Sequence, residues 1–442
     1  MSARLTALQV VRDVFKADER QQRTAQESLD YHLRKHPLEP RDRALATELA
    51  YGAIKMRRLL DWYLRPYIGE RRKPLPPATI EILRLGIYEL LFMRSPQHAV
   101  VHEWVGLAKT FGHRGTAGLV NAILRGLLRD DPRAPIPEDF EEVDDYLATR
   151  YSVPTWIVKQ WRGEFGVARL EEILKSVNEP AQPAVAVNTT RTSVDDALAW
   201  FAQHEITVRR SPLVDETLLI ERNGFVPYEQ IGRDGAWQLQ SEAAAMPVDV
   251  LNPQPEESVL DVCSGRGNKA LQAGARLAAE GTLTCIEKDP RKVSVLERRL
   301  EQAGIKAAVV TGDATQELLA AAFDRVVLDA PCSGIGIIGR CPEARWRKNP
   351  QDGARFAALQ CKLLERMADR VYPGGVLVYS VCSTDPREGR DVIEQFVRNH
   401  RFERGLIPAR YESFLTADGD VMIPPGIDGR DGFFIARLEK VA

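Results

Sequence analysis

Asp329-Ala330-Pro331-Cys332-Ser333-Gly334-Ile335-Gly336 follows the apolar run Phe323 to Leu328, and Tyr379-Ser380-Val381-Cys382-Ser383-Thr384 closes a second run, Gly375 to Val381. Short, non-alternating apolar runs rich in β-formers read as strands buried on both faces, as in a parallel sheet. Each cysteine then stands at or just past the carboxyl end of its strand. In an open α/β sheet that edge carries ligands and chemistry. The two cysteines meet there only if their strands are neighbours.

Working outward, strands alternate with helical patterns from Trp237 onward: Ser258 to Val262, Leu283 to Glu287, Ala307 to Val310, then the two runs above. This alternation predicts a doubly wound α/β sheet over residues 236–442. Residues 1–130 carry apolar positions at helical spacing with proline breaks at Pro74, Pro76, Pro77 and Pro96, and no strand signal, which predicts an all-α domain. An acidic linker follows over 131–144. Residues 145–235 begin helical, with Trp156, Trp161 and Phe165 as core, and turn to strand texture at 184–187, 206–208 and 218–220. They read as a small connecting region.

The chain of 442 residues has a formal net charge of −2. That balance hides an asymmetry: residues 1–130 hold 22 Lys and Arg against 14 Asp and Glu, a formal +8. A basic module suits a polyanion partner, although a solvated helical surface accounts for charge equally well. No apolar run reaches membrane-spanning length and no signal-peptide pattern opens the chain, so a cytoplasmic protein is expected. The six cysteines include no Cys-x-x-Cys pair, and only His400 of seven histidines lies beyond His204. Neither a disulfide framework, a metal site nor a Ser-His-Asp triad is expected.

Asp-Ala-Pro-Cys-Ser-Gly followed by Tyr-Ser-x-Cys-Ser resembles the RNA cytosine-5 methyltransferases of the Sun/Fmu type. The closest likeness is to the branch that acts on small-subunit (16S) rRNA and carries an N-terminal NusB-like domain. Asp42-Arg43-Ala44, Leu85 to Leu90 and Val120 to Arg125 resemble that domain. The resemblance implies a NusB-like bundle, a small α/β RNA-positioning region, and a Rossmann-like domain that uses S-adenosylmethionine (SAM). It implies an RNA partner and a monomer. The alternatives are a tRNA substrate, or a non-catalytic RNA-binding or assembly protein on a decayed methyltransferase fold.

The loop Asp261-Val262-Cys263-Ser264-Gly265-Arg266-Gly267-Asn268-Lys269 ends the first strand, where glycines let backbone approach a ligand at a helix start. Glu287 ends the second strand, placed for ribose hydroxyls, and Asp313 follows the third, placed for an adenine amine. The expected cofactor residues are Cys263, Ser264, Gly265, Arg266, Gly267, Lys269, Glu287, Asp313 and Asp329. The family loop is departed from at Arg266, in a proline position, and at Asn268, in a glycine position. Asn tolerates φ > 0 better than most residues, so the turn can survive the change at Asn268. Arg266 is expected to point outward or pair with Asp261 or Glu287.

Carbon 5 of cytosine is a poor nucleophile until a thiolate adds to carbon 6. The resemblance makes Cys382 that nucleophile and Cys332 the residue that assists product release. Asp329 would hydrogen-bond cytosine N3 and its amine, with Lys269 orienting the cluster. Val381 replaces a threonine, which removes neither thiol. Cys285 and Cys361 read as buried hydrophobes. Arg57, Arg58, Arg71 and Arg72, interleaved with Trp62, Tyr63 and Tyr67, and Arg340, Arg345 and Arg347, around Trp346, are the expected RNA-binding residues.

Overall fold

The computed structural model describes residues 2–69, 74–221, 234–278, 280–316 and 319–441. The chain divides into two compact units, Met1–Asn178 with Cys341–Arg347, and Glu179–Arg340 with Lys348–Ala442.

The first unit is helical among its described residues. It opens with Ala3–Val14, Ala25–Lys35, Pro40–Lys55, Arg57–Ile68, Pro77–Phe92, Gln97–Phe111 and Arg114–Asp130. Local chemistry sets the helix starts. Thr24 and Glu27 form a reciprocal capping box, and Pro40 and Pro77 occupy first-turn positions where a missing N–H costs nothing. Trp104 is fully buried and its indole donates to Glu89 Oε2 at 2.9 Å. Arg4 pairs with the same buried carboxylate at 2.6 Å, which offsets the cost of its desolvation.

The helices Val143–Arg150, Thr155–Phe165 and Val167–Ser176 belong to this unit. The sequence reading placed them in the connecting region. Arg58 is the physical reason: its guanidinium reaches Thr149 Oγ1 at 3.0 Å, Thr155 Oγ1 at 2.8 Å and Asp145 Oδ1 at 3.2 Å. The acidic stretch is partly neutralised locally, with Asp139 held by Arg133 and Asp144 by Arg162.

The second unit contains two sheets. In the smaller, β1 (Ala184–Val187), β2 (Val208–Arg210), β3 (Thr217–Ile220) and β4 (Trp237–Leu239) run antiparallel in the order β2-β3-β1-β4. Helix Val194–Gln203 lays Phe201 over it. Trp237, read as the first residue of the catalytic core, pairs with Val187 of this sheet.

The larger sheet comprises β5 (Ser258–Val262), β6 (Thr282–Glu287), β7 (Ala308–Thr311), β8 (Phe323–Asp329), β9 (Val371–Val381), β10 (Phe402–Arg404), β11 (Val421–Ile423) and β12 (Phe433–Lys440). Its order is β10-β12-β9-β8-β5-β6-β7, with β11 paired to β12. Strands β5 to β9 are mutually parallel, and β12 runs antiparallel to β9. The chain moves outward from β5 through β6 to β7, then crosses to β8 on the other side. The crevice at that reversal, at the carboxyl ends of β5 and β8, is where such sheets bind ligands. No helix among the described residues is long and apolar enough to cross a membrane.

Candidate active site

Strands β8 and β9 are adjacent, with Asp329 opposite Ser380. That register delivers both cysteines to one place: Cys332 Sγ lies 3.4 Å from Cys382 Sγ. The loops are tied to each other by backbone. The Gly336 N–H donates to the Cys382 carbonyl at 3.1 Å, and the Gly432 N–H donates to the Gly336 carbonyl at 2.8 Å. A Cβ at position 336 would stand 2.1 Å from the Gly432 oxygen, so only glycine fits.

Asp329 is held at both carboxylate oxygens. Lys269 Nζ donates to Oδ2 at 2.6 Å, and Ser380 Oγ donates to Oδ1 at 2.9 Å. Lys269 is buried, with its ammonium 5.6 Å from the Phe433 ring centre. The Cys382 thiol sits well above the ordinary cysteine range. Its hydrogen bond with Cys332 is the largest cause, burial and the Asp329 charge add to it, and Lys269 opposes. The nucleophile candidate therefore rests as a thiol, and a cation stands ready to favour its ionisation.

The glycine-rich loop turns at Cys263 (φ 61°), Gly265 (φ 60°) and Gly267 (φ 89°). Asn268 is the first residue of helix Asn268–Ala275 and does not take a positive φ, so its tolerance of φ > 0 is not called on. Its side chain instead accepts from Arg299 at 2.8 Å, and Arg299 also donates to Gln238 Oε1 and to the Arg266 carbonyl, both at 2.6 Å. Arg266 is exposed. Glu287 accepts the Gly265 N–H on one oxygen and the Asp289 N–H on the other, at 2.8 and 2.9 Å, which fixes its carboxylate at the strand end. Asp313 Oδ1 accepts from Thr315 N and Oγ1.

Asp261 is fully buried, its carboxylate oxygens make no well-formed hydrogen bond, and the Ser264 hydroxyl donates to the Asp261 carbonyl. Burial pushes its carboxyl up to about 7, against the pull of Lys269. An orphaned buried acid beside a glycine turn, with acids ending the next two strands, fits a ligand rich in hydroxyl and amino donors.

The expected RNA-binding arginines fare differently. Arg57 pairs with Glu81 at 3.1 Å and stacks 3.8 Å from the Phe15 ring centre, and Arg58 is engaged as described above. Arg345 is fully buried, its guanidinium donating to the carbonyls of Lys55, Ser152 and Val177 and to Asn178 Oδ1. Arg347 donates to the carbonyls of Val14 and Arg23, and the Trp346 indole to that of Ile54 at 2.7 Å. These four arginines hold the first unit together, and Arg345 has no surface to offer a phosphate. Arg340 is part-exposed and pairs with Asp431 at 3.1 Å. Arg71 and Arg72 lie outside the described residues. Of the cysteines read as core, Cys285 is buried and Cys361 is part-exposed.

Two functional-looking groups escaped the sequence reading. Arg299 gave no local signal. Glu388 sits behind both thiols, bonded to Ser333 and Ser383; the repeated Cys-Ser dipeptide was the available clue.

Comparison with known proteins gives three family matches: 16S rRNA methyltransferase RsmB/F over residues 248–439, the NusB family over 1–129, and a Methyltr_RsmF/B-like, ferredoxin-like domain over 153–227. A probable ribosomal RNA small subunit methyltransferase B of Bacillus subtilis is 31% identical over 92% of this chain and 93% of its own. The ribosomal RNA small subunit methyltransferase B of Thermus thermophilus is 36% identical over 94% of each. The crystal structure of a methyltransferase homolog protein from Pyrococcus horikoshii superposes with a TM-score of 0.61 over 68% of this chain and all of its own, at 24% identity.

Proposed function

Because the chain belongs to the 16S rRNA methyltransferase RsmB/F family, of the Sun/Fmu type with a NusB domain, we propose that it methylates carbon 5 of a cytosine in small-subunit rRNA, using SAM and a covalent adduct on Cys382. The observation that carries this reading is the pair of thiols 3.4 Å apart beside the Lys269–Asp329 ion pair.

The Cys382 thiolate adds to carbon 6 of the ring, and carbon 5 gains enamine character. Solvent takes the proton the Cys382 thiol gives up and returns one to N3; Asp329 accepts from the exocyclic amine and from the protonated N3, stabilising the charge that develops there. Lys269 keeps Asp329 aimed through its hydrogen bond to Oδ2. Bound SAM supplies an electrophilic methyl on a sulfonium centre. Asp261, Glu287 and Asp313 are the residues to hold its amino and hydroxyl groups. Water or Cys332 then takes the carbon-5 proton, the carbon 5–carbon 6 double bond re-forms, and the carbon 6–sulfur bond breaks to return the Cys382 thiolate, with Cys332 assisting release.

The test is nucleoside mass spectrometry on unmodified small-subunit rRNA incubated with the protein and SAM, with Cys382→Ala in parallel. New 5-methylcytidine from the intact protein alone is expected. Product from Cys382→Ala at the intact rate would overturn the covalent role.

A further inference from the structure

Each thiol is followed by a serine, and both serines turn inward. Ser333 and Ser383 are buried, with their hydroxyls 3.0 Å apart. The thiol pair one residue earlier is 3.4 Å apart. Both serine hydroxyls donate to the same oxygen of Glu388: Ser383 Oγ at 2.7 Å, and Ser333 Oγ by a closer contact. The other oxygen accepts the Ser333 backbone N–H at 2.8 Å and Gln360 Nε2 at 3.2 Å. Gln360 also donates to the Pro331 carbonyl at 2.9 Å, and the Tyr379 hydroxyl donates to the Glu388 carbonyl at 2.5 Å. One carboxylate thus collects donors from the loop after β8, the loop after β9 and helix Asp352–Ala368.

Glu388 is fully buried, and its hydrogen-bond partners are all neutral. A buried carboxyl whose hydrogen bonds come only from neutral donors is costly to place, and an apolar side chain of similar volume would fill the space at lower cost. What an apolar residue cannot do is fix two loops in one register. We propose that Glu388 is a positioning residue: through the serine after each thiol it clamps the two cysteine loops together and sets the separation at which Cys332 and Cys382 act. The proposal rests on the reading of Cys382 as the nucleophile, and it assigns Glu388 no contact with RNA or cofactor. Misplacing a reacting group by about 1 Å costs on the order of a hundredfold in rate.

The test uses the full-length protein with Glu388→Gln, and a Ser333→Ala/Ser383→Ala double variant. Glu388→Gln keeps the shape but replaces one acceptor by a donor: with the amide oxygen turned to the Ser333 N–H, the NH2 faces the two serine hydroxyls, which must then accept instead of donate. Two quantities are measured. One is kcat and KM for methyl transfer to unmodified small-subunit rRNA. The other is the rate at which diamide oxidises the Cys332–Cys382 pair, the two thiols giving up two electrons and two protons to form a disulfide as the diazene becomes a hydrazine. Expected for folded Glu388→Gln are a kcat lowered about tenfold to a hundredfold, KM for RNA within about twofold, and slower disulfide closure. A kcat within about twofold of the intact protein, or unchanged closure, would overturn the clamp. Should Glu388→Gln not fold, the double-serine variant decides by the same two criteria. If the intact protein makes no 5-methylcytidine, the functional reading fails, whereas the closure rates still judge the clamp.

Discussion

Cys332 Sγ and Cys382 Sγ lie 3.4 Å apart although 50 positions separate them in the chain. Only adjacent parallel strands ending at the same level bring this about, and β8 and β9 do so with Asp329 opposite Ser380. At that distance one thiol can serve the adduct formed by the other. Cys332→Ala is therefore expected to trap a protein–RNA adduct that survives denaturing electrophoresis on a methylatable RNA, and Cys382→Ala to form none. Adduct from both variants, or from neither, would refute the division of roles.

The raised Cys382 thiol predicts a pH dependence of defined sign. A group that resists ionisation reacts as a nucleophile only as pH climbs above the ordinary thiol value of about 8.5. Alkylation of Cys382 by iodoacetamide, followed by peptide mass spectrometry, should rise through a midpoint above that value. Cys332→Ala removes the largest cause of the shift and moves the midpoint down. Lys269→Met removes the opposing charge and moves it up. The same shift disfavours the fold in alkali: its contribution to stability is complete below the ordinary thiol value and is lost as pH rises through the folded one.

Lys269→Met should also uncouple Asp329. The ammonium is buried while about a third of the Asp329 side chain is exposed, so the stability loss falls short of the roughly 3–5 kcal/mol typical of breaking a fully buried pair. Its effect on chemistry is larger, because Asp329 loses the contact that aims its carboxylate. Single-turnover methyl transfer is expected to drop by at least about a hundredfold. Retention of more than about a tenth of the rate would remove Lys269 from the site.

The strands, their parallel order and the two cysteine contexts were legible because each signal is local: an apolar run, then a turn carrying the reacting side chain. The arginines were not. Arg58 finds its partners between Asp145 and Thr155, and Arg345 finds its own at Lys55, Ser152, Val177 and Asn178. A basic residue in a basic stretch looks the same whether it meets a phosphate or a distant carbonyl. Glu388 was passed over because its meaning lies in two serines from two loops. At Asn268 the change from glycine is harmless to the turn, which spends its positive φ one residue earlier, at Gly267.

Arg345 separates a structural from an RNA-binding role by experiment. Arg345→Met leaves several buried carbonyls without their donor, each worth about 1–3 kcal/mol before relaxation. With a net loss of about 3 kcal/mol, a unit of this size should melt roughly 6–12 °C lower, as followed by far-ultraviolet circular dichroism. The slope of log affinity for rRNA against log salt should stay unchanged. A slope reduced by about one, with unaltered melting, would restore Arg345 as a phosphate contact.

The glycine turn offers a test of the cofactor pocket that does not depend on turnover. Gly267 holds φ 89°, and a Cβ there would meet Leu296 Cδ1 at 2.5 Å. Gly267→Ala must either strain the backbone, at about 1–2 kcal/mol, or move the loop that carries Gly265 and its bond to Glu287. SAM affinity measured by calorimetry should fall at least about tenfold. Asn268 is different, because it begins a helix with an ordinary backbone and is anchored to Arg299. Asn268→Gly should change SAM affinity by less than about threefold, the anchor being lost without any gain in backbone freedom that the turn requires. A tenfold gain would mean that the Asn268–Arg299 contact holds the loop in a poorer shape for the cofactor, and that this pocket had been loosened relative to its family.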